Sequence, residues 1–128
     1  MHPLLKIAKN FLKDGCNVLE LGCGDGQFIN AIAESDIKLG KMVAVDYFNE
    51  PRELNPKVKF VKQNLEEFSI DGQFDLVILN HVLEHIKNPL GLVEKIKLRL
   101  NKHGRILIVV PNRRGFGNEA KVYLPEHG

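Results

Sequence analysis

Five short runs rich in Val, Ile and Leu constrain this chain most strongly: residues 17–24 (NVLELGCG), 41–48 (KMVAVDYF), 58–64 (VKFVKQN), 74–80 (FDLVILN) and 104–112 (GRILIVVPN). Most are continuous rather than alternating, which suits strands covered on both faces in a parallel sheet. Helical spacing separates several of them. Phe28, Ile29, Ile32 and Ala33 share one face within residues 26–35, and Leu90, Val93, Ile96, Lys97 and Leu100 share another within residues 90–100. Residues 101–104 (NKHG) carry the glycine stop expected after a helix. An amphipathic start, with Leu4, Leu5, Ala8, Phe11 and Leu12 in helical register, ends at Asp14-Gly15. Strand and helix alternating in this way predict an open α/β sheet with right-handed crossovers. One link departs from the pattern. Pro51 and Pro56 lie between Asp46 and Val58, where no long crossover helix fits and a loop must carry the chain.

The bulk properties narrow the function classes. At 128 residues the chain fits a single domain, residues 1–128, with room for a sizeable core. A net charge of +2 is too small to argue for nucleic acid or a membrane surface. Arg113-Arg114 is the notable basic pair and reads as a solvated loop. Cys16 and Cys23 have no metal-type spacing and read as reduced thiols. No apolar run approaches the roughly 18 residues of a membrane span, and the N-terminus lacks a signal-peptide pattern, so the expected location is cytoplasmic. The chain has no threonine, and its two serines, Ser35 and Ser69, lie outside any nucleophile motif.

Chemistry concentrates around the first strand. VLELGCGDGQF places Gly22, Gly24 and Gly26 between a strand and a helix, where glycine allows a tight turn and close ligand approach. Asp46 ends the next strand about 20 residues later, the place from which a carboxylate accepts ribose hydroxyls in α/β sheets. A nucleoside ligand follows. The dinucleotide fingerprint wants a third glycine where Gln27 stands, and Glu20, two residues before the loop, would repel a pyrophosphate but suit a cation. A nicotinamide oxidoreductase is therefore the weaker alternative.

His81-Val-Leu-Glu84-His85 matches the H-x-x-E-H spacing of one class of zinc protease. His81 sits at a strand's end rather than on a shared helix with His85, and no third ligand has a compelling context, so no metal is expected.

Taken together, VLELGCGDG, VAVDY, FDLVILNHVLEHIKNP and LRLNKHGRILIVVPN resemble the class I S-adenosylmethionine-dependent methyltransferases across residues 17–112. The resemblance implies a Rossmann-like, mostly parallel five-stranded sheet of order 3-2-1-4-5 with flanking helices. The family's last two strands would be lacking, the chain shortened at its C-terminal end, and the fifth strand left as an exposed edge open to an oligomer or partner chain. It implies that Glu20 and the loop of Gly22, Cys23, Gly24 and Gly26 hold the methionine end of S-adenosylmethionine. Asp46 would take the ribose hydroxyls and Tyr47 flank the adenine. Asn64, often aspartate in the family, and Leu65 would read the adenine edge, and the Asn80 carbonyl would face the amino group. The resemblance implies methyl transfer to a small-molecule acceptor, and a helix beginning at LEH (residues 83–85) after the fourth strand; His81 or His85 is the candidate base, because an imidazole ordinarily exchanges a proton near neutrality. The alternative is a cofactor-binding or structural module inactive without a partner.

Overall fold

A computed structural model of the chain describes residues 2–111 and 118–123. Its elements are α1 (Leu5–Lys9), β1 (Val18–Leu21), α2 (Gln27–Ala33), β2 (Met42–Asp46), β3 (Val58–Lys62), β4 (Phe74–Asn80), α3 (Pro89–Lys97), β5 (Leu100–Pro111) and β6 (Asn118–Tyr123), with short 3-10 turns at Leu65–Glu67 and Leu83–His85. One sheet runs β3-β2-β1-β4-β5-β6. The first five strands are parallel in the expected order.

The sixth strand corrects the expected count. β6 pairs antiparallel with β5, from Ile106 opposite Tyr123 to Pro111 opposite Asn118. The fifth strand is therefore an inner strand, and the expected docking of another chain along its edge is withdrawn. The physical reason is the edge itself: its row of unpaired backbone groups is the strongest available template, and the chain's own tail satisfies it. The sheet is thus mixed, with one antiparallel strand at its end. The Arg113-Arg114 pair lies outside the described residues.

A second correction concerns β5. Residues 101–104 do not close a helix: α3 ends at Lys97, and Leu100 already pairs with Phe74. The register then shifts, so that Leu76 faces Arg105. His103 has φ 68 within this bulge. A Cβ on Gly104 would come within 2.8 Å of the Asn101 carbonyl, so glycine serves the bulge rather than a helix stop.

The two faces of the sheet build two cores. Val18, Met42, Ala44, Leu76, Ile78 and Leu107 meet Leu5 and Ala8 of α1 and Phe28, Ile29 and Ile32 of α2. Leu19, Leu21, Val43, Val45, Val77 and Leu79 meet Leu92 and Ile96 of α3, with Phe68 and Ile70 from the connection. Each such fully buried side chain stabilises by roughly 1.5–3 kcal/mol. The helix-free crossover between β2 and β3 is pinned onto α2 by Asn30, whose Nδ2 donates to the Glu53 carbonyl (2.7 Å) and whose Oδ1 accepts from the Asn55 N–H (2.8 Å). These contacts leave the carboxyl ends of β1, β2 and β4 facing one open cleft.

Candidate functional site

The cleft has a volume of about 760 Å3 and lies at the carboxyl edge of the sheet. Its first wall is the loop after β1. The Gly22 and Cys23 N–H groups donate to the Val45 carbonyl at 2.8 and 3.1 Å, folding the loop back against β2. Gly22 has φ 75, and a Cβ there would sit 2.7 Å from both the Asn80 carbonyl oxygen and Val82 Cγ2. No side chain fits, which is why the sequence has glycine. Gly24 has φ 57, and a Cβ there would meet nothing within 4 Å. Its bare backbone faces open space at the cleft. Gly26, at φ 84, opens α2 beside Leu54 and stands outside the cleft wall.

Asp46 ties this wall together. Its Oδ2 accepts from the Gly24 N–H (2.9 Å), and its Oδ1 accepts from the Phe48 (2.8 Å) and Asn49 (2.9 Å) N–H groups. These use three of the roughly four acceptor positions a carboxylate offers, leaving one for a ligand hydroxyl. The same bonds bend the chain after β2 so that Tyr47 and Phe48 stand at the mouth, packed edge to face at 5.1 Å. Tyr47 is half exposed and Phe48 is 88% exposed.

The opposite wall follows β4 and β3. Asn64 Oδ1 accepts from the Glu66 N–H (3.0 Å), capping the turn Leu65–Glu67 that lines the adenine side expected from sequence. Asn80 ends β4, and His81 continues past it with φ 55, its N–H donating to the Val109 carbonyl (2.9 Å). The turn Leu83–His85 follows separately. LEH thus does not begin the helix of this region, because Pro89 at the first helical position, with Asn88 as cap, fixes where α3 starts. His81 and His85 accordingly occupy different local elements, as their spacing alone could not say.

Glu20 lies behind these walls, fully buried. Asn80 Nδ2 donates to its Oε2 (2.9 Å), while Oε1 has no hydrogen-bond partner. Burial, the largest cause, together with Asp25 and Asp46, raises the carboxyl to about 8 against the opposing pull of the Asn80 and Ile29 amides. Cys23, also at the wall, has its thiol pushed up to about 12, chiefly by burial and then by Glu20 and Asp46.

Of the residues expected from sequence, Gly22, Cys23, Gly24, Asp46, Tyr47, Asn64, Leu65, Asn80 and His81 all line the one cleft. His85, the other candidate base, lines it too, while sequence reasoning missed Asp25, Phe48, Asn49, Glu66, Val82 and Ile86 as lining groups. Their position next to predicted residues was the signal available. The described lining carries Asp25, Asp46 and Glu66 and no Lys or Arg. That charge pattern attracts a cation and repels a pyrophosphate.

A family model described as a methyltransferase domain matches residues 1–125. The chain belongs to that family. Ubiquinone biosynthesis O-methyltransferase from Rickettsia bellii is 30% identical over 104 residues, covering 75% of this chain and 42% of the relative. Ribosomal protein L11 methyltransferase from Thermosipho melanesiensis is 27% identical, covering 99% of this chain and 49% of the relative. Among solved structures, the plantazolicin methyltransferase BpumL in complex with a pentazolic desmethylPZN analog and SAH superposes with a TM-score of 0.71 at 25% identity, covering 85% of this chain and 44% of that one. The methyltransferase-family chain thus spans about half the length of the curated relatives it matches. No helix among its described residues is long and apolar enough to cross a membrane.

Proposed function

We propose that this chain binds S-adenosylmethionine in the cleft and transfers its methyl group to a small-molecule acceptor. The observation that carries the reading is the Gly24–Asp46 bond, which joins the bare backbone of a glycine-rich loop to an acceptor carboxylate at the mouth of a cleft lined by acids. The group fits the residues present. Gly24 leaves backbone open to a ligand, Asp46 keeps an acceptor position for a ribose hydroxyl, and the acidic lining suits a positively charged sulfur. The fit to a dinucleotide is poorer, because the described lining offers a pyrophosphate no cation. Neighbours solved with SAH support the choice of cofactor.

S-adenosylmethionine, when bound, supplies a methyl group on a cationic sulfur that departs as a neutral thioether. The chain's own work is then alignment and exclusion of water rather than activation of a leaving group. The loop of Gly22, Cys23 and Gly24, with Glu20 behind it, holds the amino-acid end, Asn64 and Leu65 take the adenine edge, and Tyr47 covers the ring. Imidazole is the side chain that ordinarily exchanges a proton near neutrality, and His81 and His85 both line the cleft. His81, next to Asn80, is the candidate to receive a proton from a hydroxyl or acid acceptor. The recurrence of ubiquinone biosynthesis O-methyltransferases among the relatives supports a small molecule as acceptor. A reducing, cytoplasmic setting suits the two free, buried cysteines.

Calorimetric titration with S-adenosylmethionine, S-adenosylhomocysteine and NAD, beside Asp46→Asn, tests the reading. Micromolar binding of the first two that weakens at least tenfold in the variant is the expected result. Binding of NAD alone, or of none by a folded chain, would overturn it.

A further inference from the structure

Glu20 is a costly residue to keep where it is. It faces the α1–α2 side of β1 with no exposed surface, and among the described residues its Oε1 is the buried side-chain oxygen without a hydrogen-bond partner. Every packed neighbour that carries or could carry charge makes a carboxylate worse there. Asp46 approaches from β2, and Asp25 and the Cys23 thiol from the loop after β1; Asn80 from β4 is neutral. The same neighbours place Glu20 one hydrogen bond behind the cleft, since Asn80, its Nδ2 donor, is itself a lining residue. A buried carboxyl with one satisfied oxygen, two acidic neighbours and no cation is stable when neutral. A cation arriving beside Asn80 reverses that balance.

We propose that cofactor uptake is coupled to ionisation of Glu20: the carboxyl is protonated in the free protein and gives its proton to solvent as the ammonium-bearing amino-acid end of the ligand enters. This rests on the methyltransferase reading. The bookkeeping is one proton out for one ligand in, with no bond made or broken in the ligand. The raised value of about 8 for the free carboxyl agrees with this, and the Cys23 thiol, at about 12, is not the proton source. Affinity then rises with pH below about 8, because less work is needed to remove the proton, and levels off above it.

The test is calorimetry on the intact chain near neutral pH in buffers of different ionisation enthalpy, with S-adenosylhomocysteine and with 5′-deoxy-5′-methylthioadenosine, which lacks the amino-acid end. About one proton released by the first ligand, close to none by the second, and close to none by Glu20→Gln with the first is the expected pattern. From about pH 6 to pH 8 the wild-type affinity for S-adenosylhomocysteine rises about tenfold or more relative to Glu20→Gln. Wild-type binding without proton release, or equal release from Glu20→Gln, overturns the coupling. A second arm needs no ligand. The free carboxyl is raised above its unfolded value, so its contribution to stability is intact below the ordinary carboxylate range and lost as pH rises through about 8. In urea denaturation the wild type therefore weakens against Glu20→Gln between about pH 5 and pH 8. Parallel curves overturn the protonated carboxyl. Failure of every adenosine ligand to bind while this arm succeeds overturns the methyltransferase reading, and the coupling with it.

Discussion

The wall between β1 and β2 is held by bonds that cross strands, whereas the wall beyond β4 rests mainly on local turns. On the first, Asp46 gathers three backbone N–H groups, and Gly22 and Cys23 bond back to Val45. On the second, bonds from Asn80 Nδ2 to Glu20 Oε2 (2.9 Å) and from the His81 N–H to the Val109 carbonyl (2.9 Å) cross strands, and a 3-10 turn follows whose own closure is the His85 N–H to the Val82 carbonyl (3.0 Å). His85 points outward, with 76% of its side chain exposed. The Lys87 N–H to Glu66 Oε1 bond (3.0 Å) ties the segment after that turn back to the turn after β3. The difference is one of bracing: a substitution on the first wall disturbs several backbone groups at once, whereas one in the turns of the second disturbs few.

Substitutions can break or sharpen that contrast, and the largest effect falls on the first wall. Gly22→Ala must both adopt a left-handed backbone and displace the Asn80 carbonyl, and it loses about 3 kcal/mol or more of stability together with cofactor binding. Chemical denaturation reads the first and calorimetry the second; a wild-type midpoint would show the loop to be softer than described. Asp46→Ala comes next. It strands three N–H groups, and about 2–3 kcal/mol is lost on denaturation. Asn64→Ala removes a cap from a partly exposed turn, costs about 1 kcal/mol, and weakens the adenine side more than the methionine side. Asn64 already belongs to the second wall, and at the histidines of that wall the effects shrink further. His81→Ala leaves S-adenosylhomocysteine affinity within about threefold while lowering turnover at neutral pH, and loss of affinity matching that of Asp46→Ala would erase the contrast. His85→Ala shifts stability by no more than about 0.5 kcal/mol.

The first wall was also the more legible one. Glycines that need positive φ and a carboxylate at a strand's end announce themselves by residue type and spacing, and Gly22, Gly24 and Asp46 stand together as expected. The second wall was read less well. The family resemblance put the start of a helix at LEH, yet Asn88-Pro89 holds the helix back. The bulge at residues 101–104 was mistaken for a helix stop, since a glycine after a helical run serves either purpose. Phe48 and Ile86 at the cleft carry no motif, and only the turns that present them bring them there.

What the chain determined by itself was the succession of strands and helices along it, the glycine loop, the carboxylate ending the next strand and the helix-free crossover past Pro51 and Pro56. Each of these depends on residues near one another in sequence, where steric rules and spacing act directly. The tertiary structure decided the rest. The six residues Asn118–Tyr123 have little strand character alone, and β5's open edge makes them a strand. Glu20 reads as a charged side chain in the sequence, and complete burial, with Asp25 and Asp46 nearby, raises its carboxyl against the opposing pull of Asn80, 60 residues away. Burial and charge state depend on what the fold brings close, and that is not written in any neighbouring residue.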